Sequence, residues 1–147
     1  EPDRPQELSE KWLPVCGLYK DGQYSGIAFH GVPGGQEINS FVLAIYNLSG
    51  PGQKLDMWTK RRIRKITSKT NIKICVSLSC HHCPKVVAAA QQIAALCSSV
   101  EAEMIDAGLY PDLVEKYELE RVPVIIINDK EKYVGAKTID QIIELVK

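Results

Sequence analysis

Apolar residues recur along this chain in two rhythms, and the change from one to the other marks out its elements. Residues 72–78, IKICVSL, and 123–128, PVIIIN, are short runs with little polar alternation, the pattern of strands covered on both faces. Residues 84–97, PKVVAAAQQIAALC, instead place Val86, Ala90, Ile93 and Cys97 at helical spacing. That run opens on a proline, which the first turn of a helix tolerates because the N–H there has no intrahelical partner. VEAEMIDA reads as another strand, YPDLVEKYE as a helix and EKYVGA as a strand after an NDK turn. The final segment is a helix with apolar residues at 139, 142, 143 and 146. From residue 72 the expected order is therefore βαβ-αββα. A βαβ start implies two parallel strands joined by a right-handed crossover, and the hairpin then adds antiparallel strands at the side.

The later half of that order also occurs earlier. LPVCGLYKDGQYSG, residues 13–26, lies over VPVIIINDKEKYVG, residues 122–135, without a gap. Pro14/Pro123, Val15/Val124, Tyr24/Tyr133 and Gly26/Gly135 then coincide. Upstream, PQELSEKW matches the short helix LVEKYELE, and downstream INSFVLAIY matches the closing helix IDQIIELVK. Residues 1–53 thus read as a partial unit of order αββα whose βαβ start is absent from residues 1–71, and residues 72–147 as a complete unit. NLSGPGQ punctuates the boundary. Residues 54–71 hold a linking helix, LDMWTKRRIRKIT, with Leu55, Trp58, Ile63 and Ile66 inward. Its KRRIRK run reads as a solvated helix face, with an anion-binding patch as the alternative.

Composition narrows the classes. The 147 residues carry 18 basic and 18 acidic side chains, a balance that makes no general case for binding nucleic acid or membrane. Residues 1–71 hold ten Lys/Arg against seven Asp/Glu, and residues 72–147 eight against eleven, so the charge is +3 in the first part and −3 in the second. No apolar run approaches the roughly 20 residues of a membrane helix. The stretch EPDRPQELSEK is neither basic nor apolar enough for a signal peptide, so a soluble, cytoplasmic protein is expected. Five cysteines, an odd number, suit a reducing compartment with at most one working pair. HGVPGG does not follow G-x-G-x-x-G and no Walker sequence is present, so reducing power is expected to come from outside this chain.

The stretch SLSCHHCPKVV, residues 77–87, carries the candidate chemistry. Cys and His are both good zinc ligands, but a structural zinc site takes four, often as two pairs. No second Cys/His pair is present: Cys16, Cys75, Cys97 and His30 stand singly, and those three cysteines read as buried small hydrophobes. A Cys-x-x-Cys that follows the first strand of a βαβ unit and opens a helix is instead the pattern of a thioredoxin-like redox centre. Cys80 would sit just before the helix, where unpaired N–H groups and the positive end of the dipole stabilise a thiolate. Cys83, one turn inside, can reach that sulfur and close a disulfide. Cys80 is the candidate nucleophile and Cys83 the resolving thiol. An imidazolium from His81 or His82 would stabilise the thiolate and make the disulfide more oxidising. The alternative is that both histidines are exposed turn residues without a specific partner.

Together, SLSCHHCPKVV, MIDAGLYPDLVEKYELERVPVIIIN and GVPGGQEINSFVLAIYNLSG resemble the N-terminal domain of the alkyl hydroperoxide reductase flavoprotein subunit, over residues 13–147. The resemblance implies an α/β, thioredoxin-like fold in tandem, of which only the second unit keeps the cysteine pair. It implies a dithiol relay from a flavoprotein disulfide reductase domain, the holder of FAD and NAD(P)H, to the disulfide of a peroxiredoxin. This chain itself would bind neither cofactor nor metal, its redox group being the Cys80–Cys83 disulfide. A cis bond at Val122–Pro123 is implied beside the dithiol, offering backbone groups to an incoming extended peptide. Many thioredoxins bury an acid a short distance before the first cysteine; Ile74 occupies that place here. Glu37, where the closing helix of the first unit begins, matches an acid of the family and is the candidate proton relay across the cleft. The alternative is a helix N-terminal glutamate favoured by the dipole alone. Other functions to be weighed are a general protein disulfide oxidoreductase with many clients and a zinc-binding interaction module.

Overall fold

The computed structural model describes residues 12–146. The chain runs β1 (Val15–Lys20), β2 (Gln23–His30), α1 (Ile38–Ser49), α2 (Met57–Arg64), β3 (Thr70–Val76), α3 (Cys83–Leu96), β4 (Val100–Asp106), α4 (Pro111–Lys116), β5 (Val124–Ile127), β6 (Glu131–Val134) and α5 (Ile139–Val146). The helix expected over PQELSEKW falls almost wholly outside the described residues. All six strands form one sheet in the order β1-β2-β4-β3-β5-β6. β3 and β4 are parallel and joined through α3, as a βαβ unit requires. β5 lies antiparallel on the free side of β3 and pairs with β6. On the other side β2 runs parallel to β4 and carries β1 antiparallel at the edge.

The strands lack polar alternation because both faces of the sheet are covered. Ile125 and Ile127 join Val86, Ala90, Ile93, Ile142 and Ile143 in a core on the α3 face, while Val124 and Ile126 join Cys75, Ile105 and Leu113 on the other. Each isoleucine so buried stabilises the fold by about 1.5–3 kcal/mol relative to exposure. The far face also holds a polar row across the strands. His30 Nε2 lies 2.7 Å from Glu103 Oε1, and Asn71 Nδ2 donates to Glu103 Oε2 at 2.6 Å. Lys73 Nζ bridges Glu103 Oε2 at 3.6 Å and Asp129 Oδ1 at 2.8 Å.

Both hairpins follow a cis X-Pro bond, Leu13–Pro14 and Val122–Pro123. In each a glycine N–H donates to the proline carbonyl, Gly31 to Pro14 at 2.8 Å and Gly135 to Pro123 at 2.9 Å. The ungapped alignment therefore names the wrong partners after the turn. Gly31, not Gly26, occupies the place of Gly135, and Phe29, opposite Cys16, that of Tyr133, opposite Ile125. The strands of the first hairpin are longer, and gapless matching has no means to absorb the difference. Gly26 has its own constraint: with φ +87, a Cβ there would come within 2.7 Å of the Val100 carbonyl oxygen at the start of β4.

Two further expectations need correction. Trp58 is 68% exposed, while its neighbour Thr59 is buried together with Ile63 and Ile66. The phase is set at the start of α2, where Asp56 Oδ1 accepts from Thr59 N at 2.7 Å as an N-cap. The inward stripe is then 59, 63 and 66, and Trp58 lies one residue off it. Cys16 is exposed, because β1 is the sheet edge; Cys75 and Cys97 are buried as expected. Of the KRRIRK run, Arg62 pairs with Asp140 at 3.1 Å and with Glu144, both on α5. Arg61, Arg64 and Lys65 are exposed.

Candidate active site

The dithiol lies where β3 hands over to α3. Cys80 is half-buried in the connecting loop and Cys83 is fully buried at the first position of the helix. Helix N-termini leave N–H groups without intrahelical partners. The residue in the capping position, His82, supplies no side-chain acceptor, and the Cys83 N–H instead donates to Cys80 Sγ at 3.2 Å. The sulfur thus performs the work of a cap, at the positive end of the helix dipole. Behind it the Cys80 N–H donates to the Ser77 carbonyl at 3.0 Å, closing the loop as a turn. Both cysteines are free thiols.

The two thiols are unequal. Burial first, then the hydrogen bond with Cys80, push the proton affinity of the Cys83 thiol up; the Ser77 backbone opposes this, and the charges of Cys80 and Glu37 add to the rise. Cys75, also buried but on the far face, has its thiol pushed up to about 12 by burial, against the pull of Lys73. It has no second sulfur to react with, which leaves it a packing residue.

Glu37 comes to the site from the other hairpin. The turn before α1 reaches the dithiol loop through Gln36, whose N–H donates to the Leu78 carbonyl at 2.8 Å. Gly35 makes that approach possible: φ is +54, and a Cβ would meet Leu78 O at 2.7 Å. Glu37 is then 0% exposed, with Oε1 accepting from Ser40 Oγ at 2.7 Å and Oε2 without a hydrogen-bond partner among the described residues. Burial raises its proton affinity, and the Ser40 hydroxyl offsets part of the rise. Glu37 stands at the N-cap position of α1, but its side chain makes no capping hydrogen bond to the helix. Thr138, its counterpart before α5, does cap: its Oγ1 accepts from Gln141 N at 3.3 Å while Gln141 Oε1 accepts from Thr138 N at 2.9 Å.

Val122 packs on the same apolar cluster as Cys80, and Pro123 precedes a strand whose Val124 stands opposite Cys75, near the end of β3 that leads into the dithiol loop. Cys80, Cys83, Glu37, Val122 and Pro123 therefore lie at one end of the sheet. His81 and His82 are exposed and make no hydrogen bond or ion pair among the described residues. Sequence reasoning missed Ser40 and the Gln36 contact. Ser40 had a legible signal, since it stands three residues after Glu37 on a helix and so shares its face. The Gln36 contact is a backbone bond between distant loops and had none. Among the described residues no group of three or more His, Cys, Asp and Glu could hold a metal ion, and no helix is long and apolar enough to cross a membrane.

A model of the thioredoxin domain family matches residues 70–147, over half of the chain, and the chain belongs to that family; its class is that of the thiol–disulfide oxidoreductases. Within the class it is similar to AhpF, a component of alkyl hydroperoxide reductase. The AhpF protein of Staphylococcus aureus (strain NCTC 8325 / PS 47) is 32% identical over 139 residues, which is 92% of this chain and 27% of the relative. A structure of AhpF from Enterococcus faecalis (V583) superposes with a TM-score of 0.89 at 42% identity, covering 93% of this chain and 66% of that one. A protein disulfide oxidoreductase from Aeropyrum pernix superposes with a TM-score of 0.80 at 25% identity, covering 93% and 60%. The chain spans about a quarter of the length of the curated relatives it matches.

Proposed function

We propose that this chain is a dithiol–disulfide relay, with Cys80 the nucleophile, Cys83 the resolving thiol and Glu37 the proton carrier between the two. The Cys80 thiolate attacks a partner's disulfide, forming a mixed disulfide and releasing one partner thiolate. Cys83 then gives its proton to the Glu37 carboxylate and attacks Cys80 sulfur. That step forms the Cys80–Cys83 disulfide and releases the second partner thiolate, so two electrons have passed to the partner. Val122 and Pro123 supply the backbone edge on which the partner's chain lies, and His81 and His82 tune the Cys80 sulfur. The observation that carries the reading is the Cys83 N–H donated to Cys80 Sγ at 3.2 Å beside a buried acid with one free oxygen.

Likeness to the AhpF proteins supports an electron donor of the flavoprotein disulfide reductase kind, holding FAD and NAD(P)H in a domain of its own, and a peroxiredoxin as acceptor. In this reading residues 1–53 are a thioredoxin-like unit that has kept its closing half, 54–71 a linker, and 72–147 the complete redox unit. A hairpin closed by a glycine N–H on a proline carbonyl in each of the two units, Gly31 on Pro14 and Gly135 on Pro123, supports that division. Likeness to the Aeropyrum protein favours a second reading, a disulfide oxidoreductase acting on many proteins.

Insulin reduction driven by dithiothreitol tests the relay. The wild-type chain should turn over, Cys80→Ser should abolish turnover, and Cys83→Ser should accumulate a mixed disulfide visible by mass spectrometry. Full multiple-turnover activity in Cys83→Ser would show the roles to be wrongly assigned.

A further inference from the structure

Beside the dithiol, α1 and residues 136–139 form two walls over a floor made by α3, enclosing an open groove of about 700 Å³. We propose that this groove receives the segment adjoining the redox cysteine of the acceptor protein, and that this segment is acidic. The inference rests on the relay reading and names the chemistry of its partner.

Three features point to such an occupant. The groove is continuous with the site, since His81 and His82, the residues between the two cysteines, line it. Its floor and one wall are apolar at Val86, Ala89 and Leu43, while Gln36 and Asn39 offer amides that can bond an extended backbone. Its charge has one sign: Lys85 and Lys137 line it, and no Asp or Glu is among the lining residues. Of the two carboxylates adjacent in sequence to lining residues, Asp140 is engaged by Arg62 and Glu37 is fully buried with Ser40 as its donor. A segment with carboxylates beside its cysteine is therefore drawn into the groove while its disulfide reaches Cys80.

The test uses the reduced chain and synthetic peptides that each hold one disulfide and differ only in three Asp or three Lys beside it, with 2-hydroxyethyl disulfide as an uncharged reference. Two exposed charge contacts should make kcat/KM about three- to tenfold higher for the acidic peptide at low salt. The preference should shrink at about 0.5 M salt, where screening acts over a few ångströms. The double variant Lys85→Glu, Lys137→Glu should reverse it, whereas Arg64→Glu, the same kind of change on α2 outside the groove, should leave it in place. Equal rates for the two peptides, or a preference that survives the double variant, would overturn the proposal while leaving the relay standing. No exchange with any of the three disulfides would instead remove the relay reading itself, and the groove proposal with it.

Discussion

Glu37 and Glu103 are both carboxylates withdrawn from solvent, one under the dithiol loop and the other in the polar row on the opposite face of the sheet. Burial alone would raise the proton affinity of either. At Glu103 it is overridden. The hydrogen bond with His30, the charge of Lys73 and the amide of Asn71 together hold its carboxyl down to about 2. Among the described residues Glu37 has a single side-chain partner, Ser40, and one oxygen with none, so burial prevails and its proton affinity rises. A carboxylate saturated with donors is a fixed charge. A carboxylate left half-satisfied in a buried place holds its proton more tightly than an ordinary one, as a proton carrier requires. The difference lies in the number of donors around each acid, and in the proposed relay it separates a structural group from the proton carrier.

The sharpest way to break this contrast is to remove the fixed charge. Glu103→Gln leaves Lys73 and His30 buried without their shared anion, and breaking one partner out of such a pair costs about 3–5 kcal/mol. Urea unfolding should show that loss as a lower midpoint at unchanged slope. The pH dependence gives an independent check. Because the folded Glu103 value lies below its ordinary 4.5, its contribution is fully present above pH 4.5 and is lost as pH falls towards about 2. The difference in stability between wild type and Glu103→Gln should therefore be constant above pH 4.5 and narrow by about 3 kcal/mol below it, at 1.36 kcal/mol per pH unit. A difference independent of pH down to 2 would mean that the donors around Glu103 do not hold it ionised.

These two acids also show what the sequence reveals and conceals. The βαβ-αββα order was readable because covered strands and an amphipathic helix differ in period, and Cys80 and Cys83 because two cysteines at that spacing after a strand have few other uses. The far-face row was not readable. Glu103, Lys73 and Asn71 interrupt strands that otherwise look apolar, and only strand order shows that they answer one another across β4 and β3. Trp58 was misplaced because a short helix has its phase fixed by its cap, and Asp56 was not read as one. Glu37 was found by its place in a repeat, although the repeat gives no burial; that comes from Gly35 letting the backbone approach Leu78.

Removing the chemical acid should act on rate and stability in different ways. Glu37→Gln should slow disulfide exchange by about a hundredfold at neutral pH, in the range of a lost general base, while leaving the mixed disulfide able to form. A group with raised proton affinity stabilises the fold below its ordinary value of 4.5, and that contribution is lost as pH rises through its folded value. Glu37→Gln should therefore gain stability relative to wild type as pH rises above 4.5, opposite in sign to Glu103→Gln. Ser40→Ala gives the smallest effect and the finest distinction. Loss of the 2.7 Å hydrogen bond from Ser40 Oγ removes the one donor that favours the ionised form, so Glu37 should hold its proton more tightly still. A single hydrogen bond of about 1 kcal/mol corresponds to a proton equilibrium shifted about fivefold, so exchange should slow by up to that factor on the acid limb of the pH–rate profile. The loss should be recovered at higher pH, because the limb of the pH–rate profile moves upward rather than the plateau falling. A uniform loss at all pH values would assign Ser40 to packing against α3 and leave Glu37 without its tuning partner.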